Sequence, residues 1–321
     1  MAGFSSFQGY QGYQGYQGYQ GYQGYQGYQG YGSPLSPGAD PGTSFALTSS
    51  REELVQRRQI APWDPERKHG TDAGLPPLDD LGLFEEWAED IRVENCLTEL
   101  MQPLHLSVEN KEVRAWHVAP DAMSSGPVTA RAYPVLQITR PPVELFQAQT
   151  QQVFDMSDLR NERLAEIVSQ IGIPMHFWAS IVDLNLSSKP RTLELLSIAL
   201  ACLSHVNQFA KKAFCCPRPT AYSPSIQPMI NPRRFSALPC GHGAEAFLVA
   251  RLLQELSQQT NFTGTGKDRK EGLLRQQLQR LAKRISDNRV VAGVHFQIDN
   301  VVGRMVGETT AEYIISRCVE R

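Results

Sequence analysis

The fold of this chain is limited most by the helical spacing of apolar residues in its second half. From Pro190 to about Lys212, apolar residues recur every three or four positions and form a broad apolar face. Residues 244–256 are apolar on almost every side, which predicts a central buried helix. Shorter stretches with helical spacing occur at 159–171, after Pro174 and at 274–285. No β-branched run alternates, so the pattern predicts an all-α fold, a helical bundle.

The other segments are less regular. A first helix is expected to begin at Asp79 or Asp80, and residues 103–142, which contain six prolines, are expected to form short extended pieces or loops. Opposite the apolar stripe at 274–285 lies a basic face that we expect to be solvated. The apolar faces predicted for the weaker helices are Phe84, Trp87, Ile91, Leu97 and Met101 in the first, and Leu159, Leu164, Ile167, Val168 and Ile171 in the helix at 159–171.

The N-terminal segment has a different composition. Residues 8–31 repeat Gln-Gly-Tyr eight times, and no charged residue precedes Asp40. Such a segment cannot bury enough apolar surface to offset the entropy lost on ordering, which predicts a disordered low-complexity tail at 1–44. The regular tyrosine rings make residues 8–31 a candidate for self-association, and the alternative is a repeat without a selected role. A proline-containing linker at 45–78 then leads to a helical domain at 79–321.

Charge and cysteine content narrow the class of function. A net charge of −2 gives no general attraction to nucleic acid or to an anionic membrane. The most apolar stretch, at 195–206, is shorter than the roughly 20 residues of a membrane-spanning helix, and residues 1–8 do not look like a secretory signal. The six cysteines form no C-x-x-C pairs, so reduced thiols are expected and a zinc site is not. We therefore expect a cytoplasmic protein without a transmembrane segment and without a nucleic-acid partner.

Groups that suit anion binding occur at three places, each beside the end of a predicted helix. Lys211 lies at the end of the helix at 190–212 and Arg218 follows it. The turn at 239–243 opens the buried helix, and Arg289 precedes a histidine and an aspartate. The turn offers backbone N–H groups at a helix N-terminus, and Gly241 lets them approach an oxyanion closely. The two arginines and the lysine would supply positive charge for its oxygens.

The third place also carries a candidate nucleophile. His295 and Asp299 are four residues apart, so on a helix they share a face, and the carboxylate can fix the tautomer of the imidazole. A histidine held in this way can act as a nucleophile. Each of the three elements taken singly has an ordinary structural explanation.

Taken together, the three places resemble the superfamily of type-2 phosphatidic acid phosphatases, bacterial non-specific acid phosphatases and vanadium-dependent haloperoxidases. Its signature is Lys, six residues, Arg-Pro; then Pro-Ser-Gly-His; then Ser-Arg, five residues, His, three residues, Asp. This chain has the same spacings in the same order, with Lys211 and Arg218-Pro219, then residues 239–242, then Arg289, His295 and Asp299. The resemblance implies a helical catalytic domain of the soluble bacterial branch.

The resemblance also implies a role for each position. Lys211, Arg218, Cys240, the Gly241 N–H and Arg289 correspond to the groups that bind phosphate or vanadate. In the phosphatases the residue at His295 attacks phosphorus to give a phosphohistidine, the residue at His242 protonates the leaving oxygen and then activates water, and the residue at Asp299 orients the nucleophile. In the haloperoxidases the histidine at the position of His295 ligates vanadium.

Two positions depart from the signature. Cys240 and Asn288 stand where the family has serine, and a thiol is a weaker hydrogen-bond donor than a hydroxyl. A thiol beside a peroxide-activating metal is also oxidisable, which argues against sustained halide oxidation. Phe235 resembles an aromatic position of the chloroperoxidases, whereas Gln208 does not resemble their second one.

Three functions follow from these observations. The first is a soluble hydrolase of phosphoric monoesters that needs no cofactor and acts on a small-molecule phosphoester. The alternative is a haloperoxidase with vanadate as its cofactor, in which His295 would be the metal ligand. The third is a catalytically weak assembly protein that associates through its tyrosine-rich tail.

Overall fold

The computed structural model describes residues 84–85, 87–120, 130–232, 234–259 and 267–318. The tail predicted at 1–44, the linker predicted at 45–78 and the helix start predicted at Asp79 or Asp80 lie outside the described residues. The principal helices are α1 (Glu89–Met101), α2 (Val143–Asp155), α3 (Arg160–Ser169), α4 (Met175–Ala179), α5 (Pro190–Phe214), α6 (Gly241–Gln259), α7 (Lys267–Val291) and α8 (Gln297–Cys318).

The centre of the fold is α6, which packs against α5, α7 and α8. Its residues from Ala244 to Leu253 are buried on nearly every side, as the apolar composition of 244–256 predicts. Helix α5 buries the predicted stripe of apolar side chains and begins with a proline, which suits the first turn of a helix. It ends where Cys215 adopts a left-handed conformation with φ of 48°. The helices at 190–212 and 244–256 are therefore confirmed.

A small antiparallel sheet corrects the all-α prediction. It consists of β1 (Leu104–Glu109), β2 (Glu112–Pro120) and β3 (Ala130–Thr139), in the order β1-β2-β3. Only one face of the sheet is buried, through residues such as Val113 and Ile138, so long β-branched runs are not required. Pro134 is accommodated in β3 because its partner, Trp116, lies at a register shift in β2. The extended pieces expected at 103–142 are confirmed, and the described residues form a mostly helical fold with this sheet.

Helix α3 buries a different face from the predicted one. Of its predicted apolar stripe, Ile167 is buried, whereas Leu164, Val168 and Ile171 are 51%, 50% and 47% exposed. Besides Ile167, which packs against Val291, the side of α3 that faces α7 carries polar side chains. In the same way, the basic face predicted on α7 is only partly solvated, because Arg284 donates a hydrogen bond to Glu166 of α3 at 2.8 Å.

The segment Pro190–Ala221, which contains α5, is long and apolar enough to cross a membrane by length and composition. An 18-residue stretch within it has a mean hydropathy of 1.3. In this fold 67% of that 18-residue apolar stretch is buried inside the protein. A core helix of a soluble protein meets the same criterion, because burial in protein and burial in lipid select the same apolar residues. The absence of a transmembrane segment therefore stays a prediction.

Two glycines of α8 set its distance from the beginning of α6. A Cβ atom on Gly303 would lie 2.6 Å from the carbonyl oxygen of Cys240, and one on Gly307 would overlap the carbonyl group of Ala244. Helix α8 thus approaches the backbone of residues 240–244 more closely than any side chain permits. This contact fixes the turn before α6 against the helix that carries Asp299.

Candidate active site

The structure brings the three sequence elements together where α5 ends, α6 begins and α7 connects to α8. Arg218 Nη1 lies 2.9 Å from His295 Nε2, and His295 Nδ1 lies 3.0 Å from Asp299 Oδ2. The backbone N–H of Cys240 donates to the carbonyl of Asp299 at 2.9 Å. Residues from all three elements are therefore in direct contact.

The contacts of His295 define its tautomer. An arginine guanidinium can only donate, so Nε2 of His295 accepts from Arg218 and Nδ1 carries the proton that is donated to Asp299. Asp299 Oδ2 accepts a second hydrogen bond, from the backbone N–H of Phe296 at 2.9 Å. The imidazole is thus held with its lone pair on Nε2, the state that a nucleophilic histidine requires.

Burial and charge keep this histidine neutral. His295 is only 4% exposed, and its burial, together with the charges of Arg218 and Lys211, holds its pKa well below the usual 6.5. The charges of His242 and Arg289 act in the same direction, so four groups of the predicted site lie within electrostatic reach of one ring. Burial also raises the pKa of Asp299, to about 7.

We predict that His295 stays neutral at a pH where ordinary histidines are protonated. In a ¹⁵N NMR titration, the ring should show the Nδ1–H tautomer and a protonation midpoint well below 6.5, because burial and cationic neighbours disfavour the imidazolium. The same protein in denaturant, where histidine titrates near ~6.5, is the control. A titration midpoint at or above 6.5 in the folded protein would show that the described electrostatics are wrong.

Arg218 is half-buried and has several hydrogen-bond partners. It donates to the carbonyls of Val294 at 2.8 Å and Phe235 at 3.2 Å, in addition to its contact with His295. Its guanidinium lies 5.4 Å from the centre of the Phe235 ring, and the ammonium of Lys211 lies 5.0 Å from the same centre. Phe235 is 38% exposed, and both cations lie within cation–π distance of its ring.

Lys211 contacts the loop that precedes the turn. Its ammonium donates to the carbonyls of Ser236 at 2.9 Å, Ala237 at 3.2 Å and Pro239, which accounts for its three N–H groups. Burial, followed by the charge of Arg218, lowers its pKa to about 7. Its contacts show a lysine that organises the loop before the turn, and a direct contact with phosphate stays a prediction.

The turn itself begins α6. Cys240 is fully buried, and its sulfur accepts a hydrogen bond from the N–H of Gly243 at 3.4 Å. Burial raises the pKa of this thiol to about 11, so it is protonated at neutral pH. Gly241 is the first residue of the helix, so its N–H is one of those that a helix leaves without an intrahelical acceptor.

Arg289 and His242 both contact the C-terminal end of α3. Arg289 is 1% exposed and donates to the carbonyl of Ile167 and to the side-chain oxygen of Gln170, at 3.3 and 3.2 Å. His242 Nε2 lies 3.1 Å from the carbonyl of Ile171, to which it donates. Burial lowers the pKa of Arg289 to about 10, which leaves it cationic at neutral pH.

Residues 166–171 were not part of the site predicted from the sequence, because no motif or spacing distinguishes them.

Among the residues that the structure describes, no cluster of three or more His, Cys, Asp or Glu side chains is arranged to hold a metal ion.

The part of the chain that carries these groups is similar to a known family. Residues 193–320 match the family model described as the PAP2 superfamily. This part of the chain is similar to the PAP2 superfamily. The matched range contains every site residue predicted from the sequence, and we refer to it as the PAP2 domain, whereas the sheet and α1–α4 precede it.

The chain was also compared with solved structures. The crystal structure of the first transmembrane PAP2 type phosphatidylglycerolphosphate phosphatase from Bacillus subtilis is 15% identical, with a TM-score of 0.38. The match covers 56% of this chain and 88% of that chain. No curated protein matches the chain.

Proposed function

We propose that the PAP2 domain hydrolyses phosphoric monoesters through a phosphohistidine at His295. The observation that carries this proposal is the state of that ring, buried and neutral, with Nδ1–H on Asp299 and its lone pair on Nε2 beside Arg218. A merely structural histidine gains nothing from four cationic or titratable neighbours, whereas a nucleophile that attacks a phosphate dianion needs them.

In the first step, Nε2 of His295 forms a bond to phosphorus as the ester P–O bond breaks. The leaving oxygen takes a proton from the protonated ring of His242, and Asp299 stabilises the positive charge that develops on His295. In the second step, His242 takes a proton from water as its oxygen attacks phosphorus, and the P–N bond breaks to release inorganic phosphate. Both nitrogens of His295 then return to their initial state.

The non-bridging oxygens of the phosphoryl group would bind to the arginine side chains and to the turn that begins α6. Arg218 Nη1 is already 2.9 Å from the attacking nitrogen, so it can transfer to an oxygen of a phosphoryl group that arrives there. Arg289 and the N–H of Gly241 would complete the set, and these two are already held in place before substrate binds. Such preorganised donors stabilise charge as it develops in the transition state.

The haloperoxidase alternative uses the same residues. The Nε2 lone pair of His295 is a suitable ligand for vanadium, and the cations suit the oxygens of vanadate, which would supply peroxide activation when bound. The buried thiol of Cys240 lies in the turn that would contact this oxyanion, and peroxide oxidises thiols. We therefore favour hydrolysis, with no cofactor.

We further propose that the enzyme is water-soluble and cytoplasmic and acts on a small-molecule phosphoester. The proposed solubility is supported by α5, because most of the 18-residue apolar stretch in the segment that contains this helix is buried inside the protein. Assembly through residues 8–31 stays a prediction, because those residues lie outside the described ones.

One paired assay tests these proposals. The full chain, purified without detergent, is expected to hydrolyse p-nitrophenyl phosphate and to be inhibited by orthovanadate. With vanadate, bromide and peroxide it is expected not to brominate a cyclic dione. Halogenation that depends on vanadate, without hydrolysis, would establish the alternative function, and a protein that is insoluble without detergent would contradict the proposed solubility.

We predict that Cys240→Ser raises kcat/KM for p-nitrophenyl phosphate, by up to about 10-fold, because a hydroxyl donates a stronger hydrogen bond to an oxyanion than a thiol does. Steady-state kinetics and the inhibition constant of vanadate measure the effect. Cys202→Ser is the matched control, since Cys202 is equally buried, in α5. An unchanged or lower kcat/KM for Cys240→Ser would show that the side chain of residue 240 does not contact the substrate.

A further inference from the structure

Helix α3 precedes the PAP2 domain, yet its C-terminal end contacts two residues of the site. The carbonyls of Ile167 and Gln170 accept hydrogen bonds from Arg289 at 3.3 and 3.5 Å, and the carbonyl of Ile171 accepts from His242. The last carbonyls of a helix lack intrahelical donors and carry the negative end of its dipole. This end of α3 is therefore well suited to hold a guanidinium.

The side chain of Gln170 adds a specific contact. It is fully buried, and its oxygen accepts from Arg289 Nη2 at 3.2 Å and from Asn288 Nδ2 at 2.9 Å. An amide oxygen has two lone pairs, so these two donors satisfy it. An apolar side chain of the same size would leave both donors without this acceptor, and a carboxylate would add a charge beside Arg289.

Asn288, which stands where the family has serine, is connected to the same face of α3. Its Nδ2 donates both to Gln170 and, at 3.1 Å, to Glu166, and its Oδ1 accepts from Arg163 at 3.2 Å. A serine hydroxyl has one hydrogen and cannot donate to both acceptors. The departure from the family signature therefore fits the contact with α3 rather than a contact with phosphate.

Arg289 also has a group that points to a ligand. Its Nε is buried, and no acceptor for it occurs among the residues that the structure describes. Buried donors without an acceptor are rare and costly in folded proteins. With Nη1 and Nη2 directed to α3, the orientation of the guanidinium is set, and an incoming oxyanion is the natural acceptor for its remaining N–H groups.

We propose that Gln170 is a positioning residue, which, with Asn288 as its partner, orients Arg289 for the oxyanion of the substrate. The inference rests on the proposed function. It makes α3 a part of the active site that this chain adds from outside the PAP2 domain.

The test compares Gln170→Leu and Gln170→Glu with the wild-type full chain. Both variants are similar to glutamine in size; the first removes both acceptor contacts, and the second places a carboxylate against Arg289. Gln276→Leu, at an exposed position of α7, is the matched control. The readouts are the inhibition constant of orthovanadate, KM and kcat for p-nitrophenyl phosphate, and Tm.

We expect the vanadate inhibition constant to rise by roughly 10–100-fold in both Gln170 variants, the range found when residues that orient a ligand-binding group are replaced. KM should rise in parallel, and the control should behave as wild type. A purely structural role predicts a lower Tm with an unchanged inhibition constant for the folded protein. If Gln170→Leu does not fold, Gln170→Glu, which keeps a polar group at this position, carries the test.

The outcomes separate the two proposals. If the wild type hydrolyses the ester and is inhibited by vanadate but both variants are inhibited equally well, the positioning role is overturned and the proposed function stands. If the wild type neither hydrolyses the ester nor binds vanadate, both are overturned.

Discussion

Replacement of His295 by alanine is expected to lower kcat/KM for p-nitrophenyl phosphate by about 10⁴-fold or more, the scale seen when an enzyme loses its nucleophile. The Nε2 lone pair is the atom that would form the bond to phosphorus, and neither Arg218 nor His242 can replace it. Steady-state kinetics measure the loss. Rapid acid-free quenching with ³²P-labelled substrate should trap an acid-labile phosphoprotein in the wild type and none in the variant.

The control for this variant is His205→Ala, at an exposed position of α5. It should retain wild-type turnover, and both variants should be compared at equal folded fraction by circular dichroism. An active His295→Ala protein, or one that still becomes phosphorylated, is incompatible with the proposed mechanism. If His295→Ala does not fold, its loss of activity does not test the mechanism. The test is then whether a phosphorylated protein is trapped from the wild type.

The largest expected effect on stability is that of Gly307→Ala. The added Cβ would overlap the carbonyl group of Ala244, with its carbon atom at 3.0 Å, and backbone in a packed core cannot move away easily. We expect the free energy of unfolding to fall by about 3 kcal/mol, the upper end for overpacked sites. Denaturant unfolding followed by circular dichroism measures the change.

Gly272→Ala in α7 is the matched control, because a Cβ there meets no atom within 4 Å. Alanine has the higher helix propensity, so this variant should gain about 0.5–1 kcal/mol. Equal stabilities of the two variants would mean that α8 does not lie as close to α6 as described.

The helices that the sequence predicts best are those whose buried side is apolar. The spacing of apolar residues in α5 and α6 identifies both their existence and their buried faces, because their neighbours are apolar too. Helix α3 buries a different face from the predicted one because its contacts with α7 are polar as well as apolar. There Glu166 and Gln170 turn inward to meet Asn288 and Arg289, and the apolar residues Leu164 and Val168 face outward.

In the candidate site, contacts within one helix could be predicted from the sequence, whereas contacts between distant segments could not. The spacing of four residues was enough to predict the contact between His295 and Asp299, because it depends on the geometry of one helix. The three carbonyls that surround Lys211 come from a loop some 25 to 28 positions later, and only the folded backbone places them there. The same applies to Gln170, which lies over 100 positions before its partners.

The guanidinium that rests on Nε2 of His295 has a consequence for selectivity. In the resting protein the lone pair of the nucleophile is occupied by Arg218, so an electrophile reaches it only after the guanidinium has moved. A phosphate dianion attracts the guanidinium more strongly than a neutral imidazole does. As the dianion binds, it therefore draws the guanidinium away from Nε2 of His295. A neutral ester such as p-nitrophenyl acetate offers no such charge. In the proposed reaction, the substrate's own ionisation therefore uncovers the nucleophile, and uncharged esters are rejected before any bond forms.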